Sequence, residues 1–182
     1  MLYMVECDIS DPQVEAEWNA YYTERKLDEV LAVPGFRTSQ RFKALEPFPS
    51  PYLAIHTVDS LDVLTGNAYS SGGGGSFDPR FQPYIINWHR NVFSGVDCAP
   101  VVEEDELIAV VDDAREKLSD ARFTWLEPAG LDRSVRSRGI ARVGRAEGER
   151  LAESHKGIVR LYRPLIPQRV ERADKSAPPP AS

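Results

Sequence analysis

The sequence is short of cysteine, of long apolar runs and of positive charge, and each shortage removes a class of protein. Two cysteines, Cys7 and Cys98, occur in 182 residues, with no CxxC spacing. That excludes a disulfide framework and a cysteine-based zinc site, and fits a reducing cytoplasm. No window approaches the ~18 apolar residues of a membrane-spanning helix. The start, MLYMVECDIS, carries carboxylates where a signal peptide has a basic head and an unbroken apolar run. Lys and Arg number 22 against 28 Asp and Glu, for a net charge of −6, which argues against a general binder of phosphate backbones. A cytoplasmic protein with no nucleic-acid partner and no membrane is expected. The four-glycine run in SSGGGGSFDPRFQP lacks a following GK[ST], so it reads as a lid or surface loop, not a phosphate cradle.

What is present is alternation. Leu2 to Ile9 reads as a strand with Tyr3, Val5, Cys7 and Ile9 in one phase. Asp11 caps, and Pro12 opens, a helix. In that helix Val14, Trp18, Tyr21 and Tyr22 share a face at about 100° per residue, while Leu27, Val30 and Leu31 fall on roughly the opposite one. A straight helix cannot bury both sets against one sheet, so the spacing predicts a kink or restart at Glu24-Arg25-Lys26. Pro34-Gly35 ends the second piece. Strands follow at Phe36 to Leu45 and Tyr52 to Val58. A short helix ending near Tyr69 and a turn seeded at Asp78-Pro79 then lead to a strand at Ile85 to Phe93.

The order β-α-β-β-α-β is ferredoxin-like, and the second half repeats it in shorter parts. These are strand Leu107 to Val111, helix Asp113 to Leu118, strands Arg122 to Leu131 and Arg138 to Val143, helix Ala146 to Glu153, and strand Gly157 to Leu165. The expected fold class is α+β: tandem ferredoxin-like units forming an α/β-barrel. Residues 1–98 make the N-terminal unit, 99–171 the C-terminal unit packed on it, and 172–182 a disordered tail too poor in apolar residues to pack.

Packing two such sheets face to face buries the faces their helices leave bare and encloses a lumen. On the fourth strand Ile86, Trp88 and Val92 read as helix-facing, which turns Asn87, His89, Asn91 and Phe93 to the lumen. On the third, Leu53 and Ile55 read as helix-facing, with Tyr52, Ala54 and His56 lumenal. Glu6 and Asp8 take the lumen phase of the first strand. In the strand order 4-1-3-2 these carboxylates lie between His89 and His56, where a carboxylate can orient an imidazole that moves protons near neutral pH.

The candidate catalytic residues are therefore His89, Glu6, His56 and Tyr22. Lys26, Arg41, Asn87, Asn91, Trp18 and Asp8 are candidates for holding substrate, Lys26 and Arg41 through an anionic group. The plainer alternatives are buried hydrogen bonding for both histidines, packing for Trp18 and Tyr22, and an exposed strand position for Arg41. The run Arg133, Arg136, Arg138, Arg142, Arg145 and Arg150 reads as a solvated strand edge and turn.

The segment EWNAYYTERKLDEVLAVPGF, residues 17–36, resembles the W-x-x-WY-x-x-x-H-x-x-x-x-x-x-x-PGF stretch of EthD-like members of the dimeric α/β-barrel superfamily. PYLAIHTVDSLDVLTGNAY is similar to their third strand and second helix, and INWHRNVF to their closing strand. The resemblance covers about residues 1–96. It implies ferredoxin-like units joined into a barrel, often by dimerisation, and activities that include lactone isomerisation, polyketide cyclisation, cofactor-independent oxygenation and haem-dependent reactions. Where EthD-like relatives often place a histidine in the first helix, this chain has Lys26, which more naturally binds an anion than acts as a base unless desolvated.

Three functions fit. The first is a cofactor-independent enzyme, with no metal, performing proton transfer as an isomerase, lyase or cyclase on a small acidic, aromatic or lactone-like metabolite, and acting as a homo-oligomer, a dimer. The second is an oxygenase: metal-free, iron-dependent through His56, His89 and Glu6 as a two-histidine, one-carboxylate set, or haem-dependent through His89. The third is a non-catalytic ligand-binding protein whose barrel is filled with packed side chains.

Overall fold

The computed structural model describes residues 1–118 and 122–171; the tail 172–182, expected to be disordered, lies outside them. The first strand, β1, spans Leu2–Ile9. Asp11 then caps α1 (Pro12–Tyr21), its Oδ1 accepting from the Gln13 amide at 2.9 Å. Tyr22–Lys26 form a π-turn before α2 (Leu27–Leu31), and the Leu27 amide donates to the carbonyl of Tyr22, five residues back. This is the discontinuity that the helical phases demand. The wider turn absorbs one extra residue and so takes back about 100° of rotation. Trp18, Tyr22, Lys26, Leu27 and Val30 all end up buried as a result.

The first half continues with β2 (Phe36–Ala44), β3 (Tyr52–Val58), α3 (Asp62–Thr65), α4 (Asn67–Ser71) and β4 (Ile85–Ser94). The second half holds β5 (Glu106–Asp112), β6 (Thr124–Leu131), β7 (Arg138–Gly144), α5 (Arg145–Ser154), β8 (Val159–Pro164) and a short β9 (Arg169–Val170) that the sequence reading missed. Hydrogen-bonded neighbours run β3-β1-β4-β6-β7-β5-β8-β2, and β2 returns to β3, so eight antiparallel strands close into a barrel. The two halves meet at β4 against β6 and at β2 against β8. A barrel closed within one chain leaves none of these eight strands as a free edge.

Two expectations are corrected here. Asp113 to Leu118 is a turn and not a helix: the Lys117 and Leu118 amides both donate to the Ala114 carbonyl. Only Ala114 and Leu118 of this segment are buried, too little apolar contact to stabilise a helical nucleus. The architecture is thus an α+β antiparallel barrel with few helices. The phase of β3 is also inverted. Leu53 and Ile55 belong to the lumen cluster with Leu2, Met4, Phe93 and Val110, while Tyr52 and Ala54 pack outward with Trp18 and Tyr22. The lumen is itself apolar, so an apolar phase does not mark the helix-facing side. None of the described helices is long and apolar enough to cross a membrane.

Candidate functional site

Side chains fill the middle of the lumen, and a buried ion cluster adjoins them. Arg138 donates to Glu6 Oε2 at 2.8 Å and to both carboxylate oxygens of Asp112, at 2.7 and 2.9 Å. Arg160 also bonds Asp112 and reaches Glu6 Oε1 at 3.4 Å. Arg138 is thus buried, not part of a solvated run, and shares its strand phase with lumenal Ile140 as Arg160 does with Tyr162. That shared phase was the available signal for both.

Open space lies instead on the outer face of the barrel, beneath the π-turn. Tyr3, Val5, His56 and Trp88 line it from the strands, and Tyr22, Lys26 and Val30 from the helix. Gly75, Ser76 and Phe77 of the glycine-rich loop close one side. The pocket has about 290 Å³ of atom-free space, part of it continuous with solvent. The loop follows from its glycines. A Cβ on Gly74 would sit 2.2 Å from the Tyr69 ring, and Gly75 holds φ of 73°. Lys26 fastens this loop over the pocket, its Nζ donating to the carbonyls of Gly73 and, at 2.7 Å, Ser76.

The pocket is buried and short of negative charge. His56 is 1% exposed, with Nδ1 2.8 Å from Ser39 Oγ and its ring stacked on Tyr3 at 5.4 Å between centroids. Burial, and then the charge of Lys26, push the His56 pKa down to about 3, so the imidazole is neutral at physiological pH. Burial also lowers the pKa of Lys26, with Glu29 acting the other way. The hydroxyls of Tyr3 and Tyr69 are 2.9 Å apart, and burial raises both phenols, as it does Tyr22.

A second, smaller cavity of about 190 Å³, also partly continuous with solvent, shares Val5 and Tyr22 with the first and is lined besides by Cys7, Trp18, Arg41 and Tyr52. Burial lifts the Cys7 thiol to about 12, so it is no thiolate nucleophile. Arg41, 2% exposed, donates to Asn19 O at 3.2 Å, Asn19 Oδ1 at 2.8 Å and Thr23 Oγ1 at 2.8 Å. Its guanidinium lies 4.2 Å from the Tyr22 ring centroid and 4.9 Å from that of Trp18.

Five of the residues singled out from sequence therefore converge: His56, Tyr22, Lys26, Trp18 and Arg41. The others do not join them. His89 pairs with Glu6 in register but is exposed, its side chain without a hydrogen bond to the described residues, while the Glu6 carboxylate is taken by the two arginines. Asp8 accepts from the Ile9 amide at 2.8 Å. Asn87 sits at φ 48° and donates to Pro49 O at 2.7 Å. Asn91 grips Ser134, donating to its Oγ and accepting from its amide, both at 2.8 Å. His56 and Glu6 occupy opposite faces of the sheet, so the expected His56–His89–Glu6 iron set is not assembled. Among the described residues no group of three or more His, Cys, Asp or Glu side chains is placed to hold a metal ion. Tyr3, Tyr69 and Ser39 were missed because their phases read as ordinary packing.

Compared by sequence, the chain matches no protein-family model and no curated protein. Compared by structure, it resembles an anthrone oxidase-like protein of known crystal structure, with 12% identity over 94% of each chain and a TM-score of 0.54. A candidate monooxygenase from Lactobacillus acidophilus NCFM aligns with 10% identity over 93% of this chain and 96% of that one, at a TM-score of 0.48. At such an identity the first likeness shows the fold alone, along nearly the whole chain.

Proposed function

We propose that the outer-face pocket takes a proton from a small acidic aromatic substrate and passes the resulting anion to molecular oxygen. The observation that carries this reading is a neutral, fully buried imidazole in the same pocket as an ammonium bonded only to carbonyls. With Nδ1–H donating to Ser39 Oγ, the other ring nitrogen of His56 holds the lone pair and acts as general base. Burial disfavours an isolated imidazolium. Transfer becomes favourable when the substrate anion forms beside it and beside Lys26, because the new charges arise as a pair. Two of the three ammonium donors of Lys26 hold carbonyls, which leaves the third for the substrate oxygen.

A carbanion made this way adds O₂ to give a hydroperoxide, and loss of water leaves a carbonyl. One oxygen atom enters the product and the other becomes water, so RR′CH₂ and O₂ give RR′C=O and H₂O with no external reductant. The name of the anthrone oxidase-like neighbour favours this course, and the EthD-like resemblance of residues 1–96 belongs to the same proposal. An isomerase, lyase or cyclase would share the proton transfer and omit the oxygen.

Oxygen uptake by the purified protein, with a panel of phenols and activated-methylene aromatic ketones, tests the reading. The His56→Ala variant should lose turnover by about 10²-fold or more, with the fold intact by circular dichroism. Full activity in that variant removes His56 as base. Exchange of substrate hydrogen without oxygen uptake returns the isomerase reading, and neither signal with any substrate leaves a binding protein.

A further inference from the structure

The smaller cavity behind Tyr22 contains a buried cation without a counterion. Among the described residues no carboxylate bonds Arg41, and the groups that act on its charge are Tyr22, Cys7 and Tyr52, all neutral at physiological pH. Three of the five guanidinium N–H donors are used, each on a neutral oxygen of α1 or the π-turn. The nearby Glu15 is occupied by Lys43 and the Tyr52 hydroxyl. A second and independent observation lies in the same wall. The indole N–H of Trp18, whose side chain is 0% exposed, has no hydrogen-bond partner among the described residues. Buried N–H groups in folded proteins are nearly always paired, so an orphan beside an uncompensated cation marks a place for an acceptor.

From this placement we infer that the cavity is an anion subsite, in which Arg41 and the Trp18 indole N–H receive a carboxylate borne by the substrate. The inference rests on the proposed function and deepens it by naming the substrate class: an acidic aromatic molecule that also carries a carboxylate arm. The two cavities adjoin at Val5 and Tyr22. The ring then lies against His56 and Lys26, and the arm passes Tyr22 to reach Arg41. The aromatic faces around Arg41 exclude water, which strengthens a charge-assisted hydrogen bond there.

The Trp18 indole N–H resonance, assigned by its loss in Trp18→Phe, reports occupancy without any need for turnover. Titration of the ¹⁵N-labelled protein with benzoate should move it downfield to saturation, while the neutral benzamide should not. Arg41→Gln should weaken the benzoate response at least tenfold and Arg41→Lys less, with the Trp125 resonance unmoved as a check on folding. Chloride at matched ionic strength separates the sources: the same shift at the same midpoint means a free-anion site and overturns the carboxylate arm. No Trp18 shift with benzoate, or an unchanged midpoint in Arg41→Gln, overturns the subsite altogether. Oxygen uptake with a silent Trp18 sinks the subsite and leaves the proposed function. A Trp18 response without oxygen uptake from any substrate does the reverse.

Discussion

On the lumenal face of β1, Glu6 meets Arg138 and Arg160, and Asp112 bridges the same two arginines. On its outer face, Lys26 and Arg41 are buried with no carboxylate of the described residues bonded to either. Arg138 and Arg41 are equally hidden, at 1% and 2% exposure, yet their pKa values move in opposite directions. Burial pulls both down. For Arg138 the carboxylates of Glu6 and Asp112 outweigh burial and leave it raised, whereas Arg41 stays lowered. Residue type and burial are matched, so the counterion makes the difference. A compensated cluster can be scaffold, while an uncompensated one lowers stability and persists where something else supplies the charge.

The strongest way to break this comparison is to remove a cation from the compensated side. Arg138→Leu leaves the buried Glu6 and the half-buried Asp112 sharing Arg160, and should cost about 3–5 kcal/mol in urea denaturation, with the Trp18 indole resonance unmoved. A loss below about 1 kcal/mol would mean that the cluster contributes little to the barrel. Acid probes the other face, with an effect of similar size spread over several pH units. Folding lowers the His56 pKa to about 3 from an unfolded value of about 6.5. Between those limits the unfolded chain binds a proton that the folded chain refuses. The full contribution is present above the upper limit and is lost as pH falls, by about 1.4 kcal/mol per unit. His56→Gln should flatten that part of the stability profile, and an unchanged slope would refute the buried neutral imidazole. The smallest effect belongs to Lys26→Met. Deleting a cation that holds only carbonyls should leave stability within about 1 kcal/mol of wild type, while amide exchange quickens at Gly74 and Gly75. A loss comparable to that of Arg138→Leu would erase the contrast.

Much of the frame was legible in the sequence. The bounds of β1 and β3, the cap at Asp11 and the break before Leu27 all followed from spacing alone. The site was legible in part. Trp18, Tyr22 and Lys26 could be found because they flank the helix break, and Arg41 because a strand cation can hold an anionic group. What failed was the choice of face. Every residue of β3 is buried, and a strand covered on both sides carries no alternation from which to tell lumen from helix layer. His56 was therefore assigned to the wrong side. His89 misled differently: its polar neighbours read as the lining of a cavity, but the first half of β4 overhangs the barrel, with Ile86, Asn87 and His89 exposed.

The π-turn makes the pocket depend on a count. Were the same residues of Tyr22–Lys26 wound in ordinary α geometry, everything after them would turn by about 100°. Lys26 would swing away from the Ser76 carbonyl, and Leu27 and Val30 would rotate off the sheet. Replacing residues one at a time preserves the count and would never expose this dependence. A homologue one residue shorter at this point would close the turn to α geometry and keep the same faces on the sheet.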